Sequence, residues 1–300
     1  MTSVVENIAE VTAAVDAVPG AATVAAVADA TGVAAVATTA TAFEWHGAAD
    51  APVVALIHGL GLERRMWRDF AAALQADYRV LAYDLFGHGE SAPPPAAPSL
   101  ALFSAQLRGL LDAQGVASCA AVGFSLGGMI CRRFAIDHPP RAAALGIFNS
   151  PHERSRAAQL EVESRAAGVA SGASRDIEAT VDAALARWFT PAFRAAQPDY
   201  IAQIRAQLLA NDPAIYAQCR RVLADGVAEL IRPEPPPACP ALVMTCENDS
   251  GSTPAMSRAI AAELPAAQLR IVPKFQHMGL VESPHKFIAP LRQFLAKSMP

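Results

Sequence analysis

The segment "CAAVGFSLGGMICRRFA", residues 119–135, constrains the fold more than any other stretch of the chain. An apolar run stops in glycine, a serine follows between Gly123 and Gly127, and an amphipathic run begins behind it. A short continuous apolar stretch bounded by glycine predicts a strand buried on both faces. The run behind it predicts a helix, which places Ser125 at a strand-to-helix turn. Small residues two positions either side let a central side chain project from such a turn while its neighbours stay clear. The helix amino terminus favours negative charge there. From this segment alone two readings of Ser125 stand: a nucleophile on an elbow, or an N-cap after a glycine turn.

The same unit repeats along the chain. "PVVALIHG" predicts a buried strand, Trp67–Gln75 a helix, "YRVLAYD" a strand, Leu100–Gln114 a helix, Ser125–His138 the helix after the elbow, and "AALGIFN" another strand. Strand followed by helix at regular spacing predicts a parallel sheet covered on both faces. Residues 151–231 break the rhythm: "SRDIEATVDAALARWF", "PDYIAQIRAQLLAN" and "PAIYAQCRRVLA" carry apolar residues at helical spacing. After "PEPPPACP" the alternation resumes with a strand "ALVMTCE", a helix Pro254–Ala262, a strand "QLRIVP" and a last helix near 284–297. The chain thus divides into one α/β core, residues 21–150 and 233–300, and a helical insertion, 151–232. Upstream of "PVVALIHG", residues 23–47 predict a hairpin turning at Thr31–Gly32, although their alanines also permit a helix. Residues 1–20 predict a short helix ending at Pro19–Gly20 or a partly disordered lead.

At 300 residues and 53% apolar the chain can bury a large core. A net charge of -4 with scattered basic residues shows no footprint for nucleic acid. Glu6 and Glu10 without a nearby cation, then Asp16, Pro19, Gly20 and Asp29, predict neither a signal peptide nor a membrane span. Five cysteines without Cys-x-x-Cys spacing predict reduced thiols in a cytoplasmic chain. None lies at a glycine-spaced turn, so a cysteine nucleophile is not predicted. His and Cys form no tight local group for a metal, and "GLGLE" lacks the spacing of a dinucleotide loop, so no cofactor is expected.

A serine hydroxyl is a poor nucleophile near neutral pH without a base, and the base needs an orienting acid. His277 lies in "VPKFQHMGLVESP" after one predicted strand, and Asp249 in "LVMTCENDSGSTP" after another. All three candidates fall at carboxyl ends of strands, where an open parallel sheet places its site. Their chain order, Ser then Asp then His, is that of one particular triad fold.

"HGLG" at 58–61, "DLFGHGES" at 84–91, "GFSLGG" at 123–128, the Asp249 loop and "QHMGLVESP" at 276–284 together resemble the α/β-hydrolase superfamily, from about residue 40 to 297. The resemblance implies an α/β-hydrolase fold, a mostly parallel sheet with helices on both faces, and makes the 151–232 insertion a helical cap. It implies Ser125 as nucleophile, Asp249 as acid, His277 as base, and the backbone amides of Leu60 and Leu126 as the oxyanion hole. The chain departs from the pattern at Cys246, where glycine is usual, and in the longer spacing of "DSGSTP". Glu247 is therefore a rival acid. Asp84 is another, although its segment in the family fixes a loop, and His58 and His88 go with such loops.

A serine nucleophile with a histidine base and amide donors supports attack on a carbonyl and an acyl-enzyme. It does not support dehalogenation by an aspartate nucleophile. "GFSLGGMI", "ARWFTPAF" and "DPAIYAQCRRVLADG" are similar to the 3-oxoadipate enol-lactonase branch, which implies a small acidic lactone from aromatic-ring breakdown as substrate, within a broader expectation of a small ester or lactone. An anionic substrate wants a cation, and Arg187, Arg220 and Arg221 lie in the cap helices near Trp188 and Phe189, either as its partners or as ordinary solvated helix-surface residues. Phe124 precedes the nucleophile, where hydrolases that break carbon–carbon bonds of ring-cleavage products carry a small polar residue, so it leans toward ester or lactone. Those hydrolases, cofactor-free perhydrolases, and a non-enzymatic receptor or scaffold on the same fold are the alternatives. Neither nucleic acid nor membrane is an expected partner, and no segment speaks to oligomeric state.

Overall fold

The computed structural model describes residues 21–24, 39–170 and 177–299. The segment 1–20 and the Thr31–Gly32 turn lie outside the described residues. Among the described residues eight strands form one sheet: β1 (Ala21–Val24), β2 (Thr39–His46), β3 (Val53–Ile57), β4 (Arg79–Tyr83), β5 (Cys119–Phe124), β6 (Ala142–Phe148), β7 (Ala241–Cys246) and β8 (Ala267–Val272). Their order is β1-β2-β4-β3-β5-β6-β7-β8. β2 pairs antiparallel with β1 and β4, and every other neighbour is parallel. The fold is an α/β-hydrolase fold.

The apolar strands are continuous because each face of the sheet has its own cover. Period-two alternation sends Ala55, Ile57, Leu81, Tyr83, Leu145 and Ile147 to one cluster. Val54, Leu56, Val80, Ala82, Ala144 and Phe148 go to the other. The first face is closed by helices α2 (Leu100–Ala113), α3 (Leu126–Asp137) and, further on, α9 (Pro254–Glu263), through Phe103, Leu107, Met129, Phe134 and Ile260. The second is closed by α1 (Arg68–Leu74) and α11 (His285–Ser298), through Phe70, Phe287, Leu291 and Phe294. The last helix was expected as one piece near 284–297. It is α11, His285–Ser298, and a separate single turn, α10 (Gly279–Glu282), precedes it, the two parted at Ser283, whose φ of -148° leaves the helical backbone before Pro284.

Between β6 and β7 the described residues form helices α4 (Arg156–Ala170), α5 (Ile177–Trp188), α6 (Pro191–Ala196), α7 (Pro198–Ala210) and α8 (Pro213–Asp225), then a 3-10 turn Gly226–Leu230. Proline opens α6, α7 and α8, where a missing N–H costs nothing. Thr190 and Asp212 cap α6 and α8 by accepting from first-turn amides. Leu185, Phe189 and Ile204 join one core cluster, and Cys219 and Val222 join the other. No helix of the described residues is long and apolar enough to cross a membrane.

The parallel register aligns the carboxyl ends of six strands. Ile57 lies beside Gly123, Phe124 beside Phe148, Phe148 beside Met244, and Cys246 beside Val272. The loops that follow carry His58, Asp84, Ser125, Asn149, Asp249 and His277, so one edge of the sheet gathers residues distant in the chain.

Candidate active site

Ser125 sits on the β5-to-α3 turn with φ 54° and ψ -112°, a left-handed conformation that costs a non-glycine residue strain. Its amide donates to the Phe148 carbonyl of β6 at 2.8 Å, which pins the turn. The flanking glycines are required by contact. A Cβ on Gly123 would come within 2.2 Å of the Gly127 carbonyl carbon, and one on Gly127 within 2.2 Å of the Ile57 carbonyl oxygen. The Ser125 side chain makes no capping bond to α3. That removes the capping reading and leaves the hydroxyl to project.

His277 Nδ1 pairs with Asp249 Oδ2 at 2.7 Å, and both side chains are buried. Asp249 is held on every side. Its Oδ1 accepts from the amides of Gly251 and Ser252, each at 2.9 Å, and Oδ2 also accepts from Asn149 Nδ2 at 2.8 Å. Burial pushes its carboxyl up, but the His277 charge and the bonds from His277, Asn149 and Ser252 outweigh it and hold the group below its ordinary value. Asp249 is thus a fixed carboxylate that selects the His277 tautomer with the proton on Nδ1 and the lone pair on Nε2. Among the described residues no hydrogen bond joins Ser125 Oγ to His277 Nε2; the two meet as walls of one cavity.

The rival acids are otherwise engaged. Glu247 is exposed and accepts from the Lys274 amide at 3.0 Å. Asp84 is fully buried against Arg64, accepting from the Arg64 amide at 2.7 Å and the Glu90 amide at 2.9 Å as well as from the Arg64 guanidinium. Arg64 also binds Glu44 at 3.0 Å and Glu90 at 2.6 Å. Asp84 therefore builds the loop. His58 accepts from the Leu85 amide at 2.9 Å through Nε2 and donates to the Gly59 carbonyl at 2.8 Å through Nδ1, a neutral ring tying the β3 loop to the β4 loop.

Leu60 lines the cavity. The Leu126 side chain instead belongs to the core, and its amide opens the first turn of α3, where N–H groups lack an intrahelical partner. Neither amide donates to another protein group among the described residues.

The cavity has a volume of about 170 Å³ and brings together residues of the core and of the helices between β6 and β7. Phe124 and Trp188 flank His277, with ring centroids 4.8 and 6.0 Å from the imidazole. The Met278 amide donates to the Trp188 carbonyl at 2.8 Å, and Glu282 accepts from Thr190 N at 2.8 Å and Oγ at 2.6 Å, so the end of α5 is tied to the His277 loop. Arg187 and Arg220 both line the cavity, whereas Arg221 is exposed and does not. Arg154, Tyr216 and Leu62 are among the lining residues that escaped the sequence reading. Burial pushes the Tyr216 phenol up while Arg220 and Arg187 pull it back. Asn149 was also missed, and its only sequence signal is an asparagine closing a buried strand. Of the lining residues only Asp249 is acidic, and it is committed to His277. Among the described residues no group of His, Cys, Asp and Glu is placed to hold a metal ion.

A family model described as the alpha/beta hydrolase family matches residues 54–290. The chain is 31% identical over 262 residues, 85% of its length and 94% of the relative's, to the protein named "Putative carbamate hydrolase RutD" of Klebsiella pneumoniae. It is 26% identical to 3-oxoadipate enol-lactonase 2 of Acinetobacter baylyi, over 80% of this chain and 87% of that one. Among solved structures, the enol-lactonase from Burkholderia xenovorans LB400 superposes with a TM-score of 0.76 at 27% identity, covering 86% of this chain and 97% of that one.

Proposed function

This chain belongs to the alpha/beta hydrolase family, and from that membership we propose a serine hydrolase that opens a small, anionic ester or lactone through an acyl-enzyme. The observation that carries the proposal is the 2.7 Å contact between His277 Nδ1 and Asp249 Oδ2 in the cavity where Ser125 stands on its strained elbow.

In this reading Ser125 Oγ attacks the substrate carbonyl as His277 Nε2 takes its proton. The Leu60 and Leu126 amides receive the developing oxyanion, which the helix amino terminus also favours. His277 then returns the proton to the departing oxygen, and an acyl group remains on Ser125. Water, deprotonated by His277, attacks that acyl group, and Ser125 leaves with the proton. Asp249 stays ionised throughout and orients the imidazole.

The helices between β6 and β7 act as a cap that supplies the substrate-facing wall. Arg187 and Arg220 there favour a carboxylate-bearing substrate, and Phe124 and Trp188 offer apolar faces to the remainder. The enol-lactonase relatives support a lactone. The RutD relative supports a second reading, a carbamate, since the same attack on a carbonyl serves both. Cysteines that are free and mostly buried suit a reducing cytoplasm.

Intact-mass measurement during turnover of short p-nitrophenyl esters, small lactones and carbamates, beside Ser125→Ala, tests the proposal. Acyl mass on the parent and not on the variant is expected. A parent that neither accumulates label nor turns over any carbonyl substrate rejects it.

A further inference from the structure

The helical segment leaves the core after Pro151 and returns at Leu230, and one side chain holds both points. Arg132 lies further along α3, the helix that starts at Ser125, and is 3% exposed. Its Nη2 donates to the Leu230 carbonyl at 2.7 Å and its Nη1 to the Pro151 carbonyl at 3.4 Å. Nη2 also lies 3.6 Å from Glu263 Oε2 of α9. Glu263 Oε1 in turn pairs at 3.1 Å with His152, the residue after Pro151. Burial drags the Arg132 guanidinium down to about 10, with Glu263 opposing.

A buried guanidinium is an expensive way to fill space, and an apolar side chain of similar volume often serves stability as well. What an apolar side chain cannot do is satisfy two carbonyls from segments far apart in the chain. A second arginine repeats the pattern above it. Arg154 donates to the carbonyls of Ala224 at 3.4 Å and Leu223 at 3.5 Å, joining the outgoing segment to the end of α8, and it lines the catalytic cavity. At the far side the end of α5 is tied separately, through Trp188 to Met278 and Thr190 to Glu282.

We infer that Arg132 is a positioning residue: it seats the root of the helical segment on the nucleophile helix and so sets where the Arg154, Tyr216 and Arg220 wall stands relative to Ser125. The seating rests on geometry alone; its consequence for Ser125 reactivity rests on the serine-hydrolase reading.

Hydrogen exchange of the full chain, compared with Arg132→Met and Arg132→Lys, separates the two. Lysine keeps a charge beside Glu263 but one ammonium cannot span both carbonyls, so it decides the question if the methionine variant fails to fold. Exchange in residues 151–160 and 219–232 is expected to rise about tenfold, while residues 119–131 and 279–298 keep parent rates. The ratio of Ser125 labelling by a bulky aryl fluorophosphonate to labelling by a methyl one is expected to change at least about fivefold. Unchanged exchange at the root, or a uniform rise that includes the core strands, overturns the inference. So does faster root exchange with an unchanged labelling ratio. If neither probe labels the parent, the serine-hydrolase reading fails and the exchange pattern alone decides the seating.

Discussion

Asn149 donates from Nδ2 to Asp249 Oδ2 at 2.8 Å, the same oxygen that receives the His277 ring at 2.7 Å. The asparagine is itself strained, at φ 48°, and its amide is fixed to the Met244 carbonyl at 2.8 Å. Under the proposed serine-hydrolase mechanism it acts through Asp249, so Asn149→Ala is expected to lower kcat about tenfold with KM little altered. Steady-state kinetics on a p-nitrophenyl ester check this. An unchanged kcat would make Asn149 a strand-end spacer.

The cation wall predicts a split between charged and neutral substrates. Arg220→Leu is expected to raise KM for a carboxylate-bearing lactone by about tenfold to hundredfold and to leave a neutral ester within about twofold. Equal losses on both substrates would assign Arg220 to supporting Tyr216 instead of binding substrate.

Two buried histidines make stability fall with acid before any carboxylate does. Burial pulls His58 to about 4, and burial together with the neighbouring His58 pulls His88 to about 3. Unfolded, both bind a proton near the ordinary imidazole value of 6.5. Below about pH 6.5 the unfolded chain therefore holds more protons than the folded one, and stability drops until the folded values are reached. For His58 alone the loss reaches roughly 3 kcal/mol. Asp249 works in the same sense but at lower pH: its lowered pKa contributes stability that is present above the ordinary carboxylate value and is lost as pH falls through the folded one, so it steepens the profile only at the acid end. Urea unfolding at several pH values between 7 and about 4 measures the slope, and His58→Gln should flatten it. A parent profile flat over that window would contradict buried neutral rings.

Gly127 tests the elbow. The Cβ of Gly127→Ala would be 2.2 Å from the Ile57 carbonyl oxygen and 2.7 Å from that of His58, both backbone atoms that cannot swing aside. A destabilisation of about 3 kcal/mol is expected in denaturant titrations. Gly115→Ala is a useful contrast: its Cβ meets nothing within 4 Å, but φ 65° strains it, so its smaller cost reports backbone alone.

Much of this protein was legible because its chemistry is local in sequence. A strand-to-helix turn needs glycines at fixed offsets, a strand buried on two faces needs an unbroken apolar run, and a triad on a parallel sheet needs its members just after strands. Ser125, Asp249 and His277 are therefore the triad proposed from spacing and resemblance, and Asp84 is set aside as loop architecture. The single turn α10 before the last helix was not legible, since four residues are too few to show a helical period.

What the amino-acid order could not express is contact across the sheet and across the helical segment. Asn149 reaches Asp249 only because β6 and β7 are neighbours in register, and Arg132 meets Pro151 and Leu230 only because the chain returns to α3. Arg154 and Tyr216 join Arg187 and Arg220, while Arg221 is left outside, through the way the helices between β6 and β7 turn their faces. The fold class and the glycine-flanked elbow at Ser125 follow from the amino-acid order alone, because short-range sterics and strand periodicity dictate them, and the base and acid proposed at His277 and Asp249 follow from their places after strands and from resemblance. Which side chains brace those residues and which charges line the cavity depend instead on packing between segments distant in the chain, which no local pattern records.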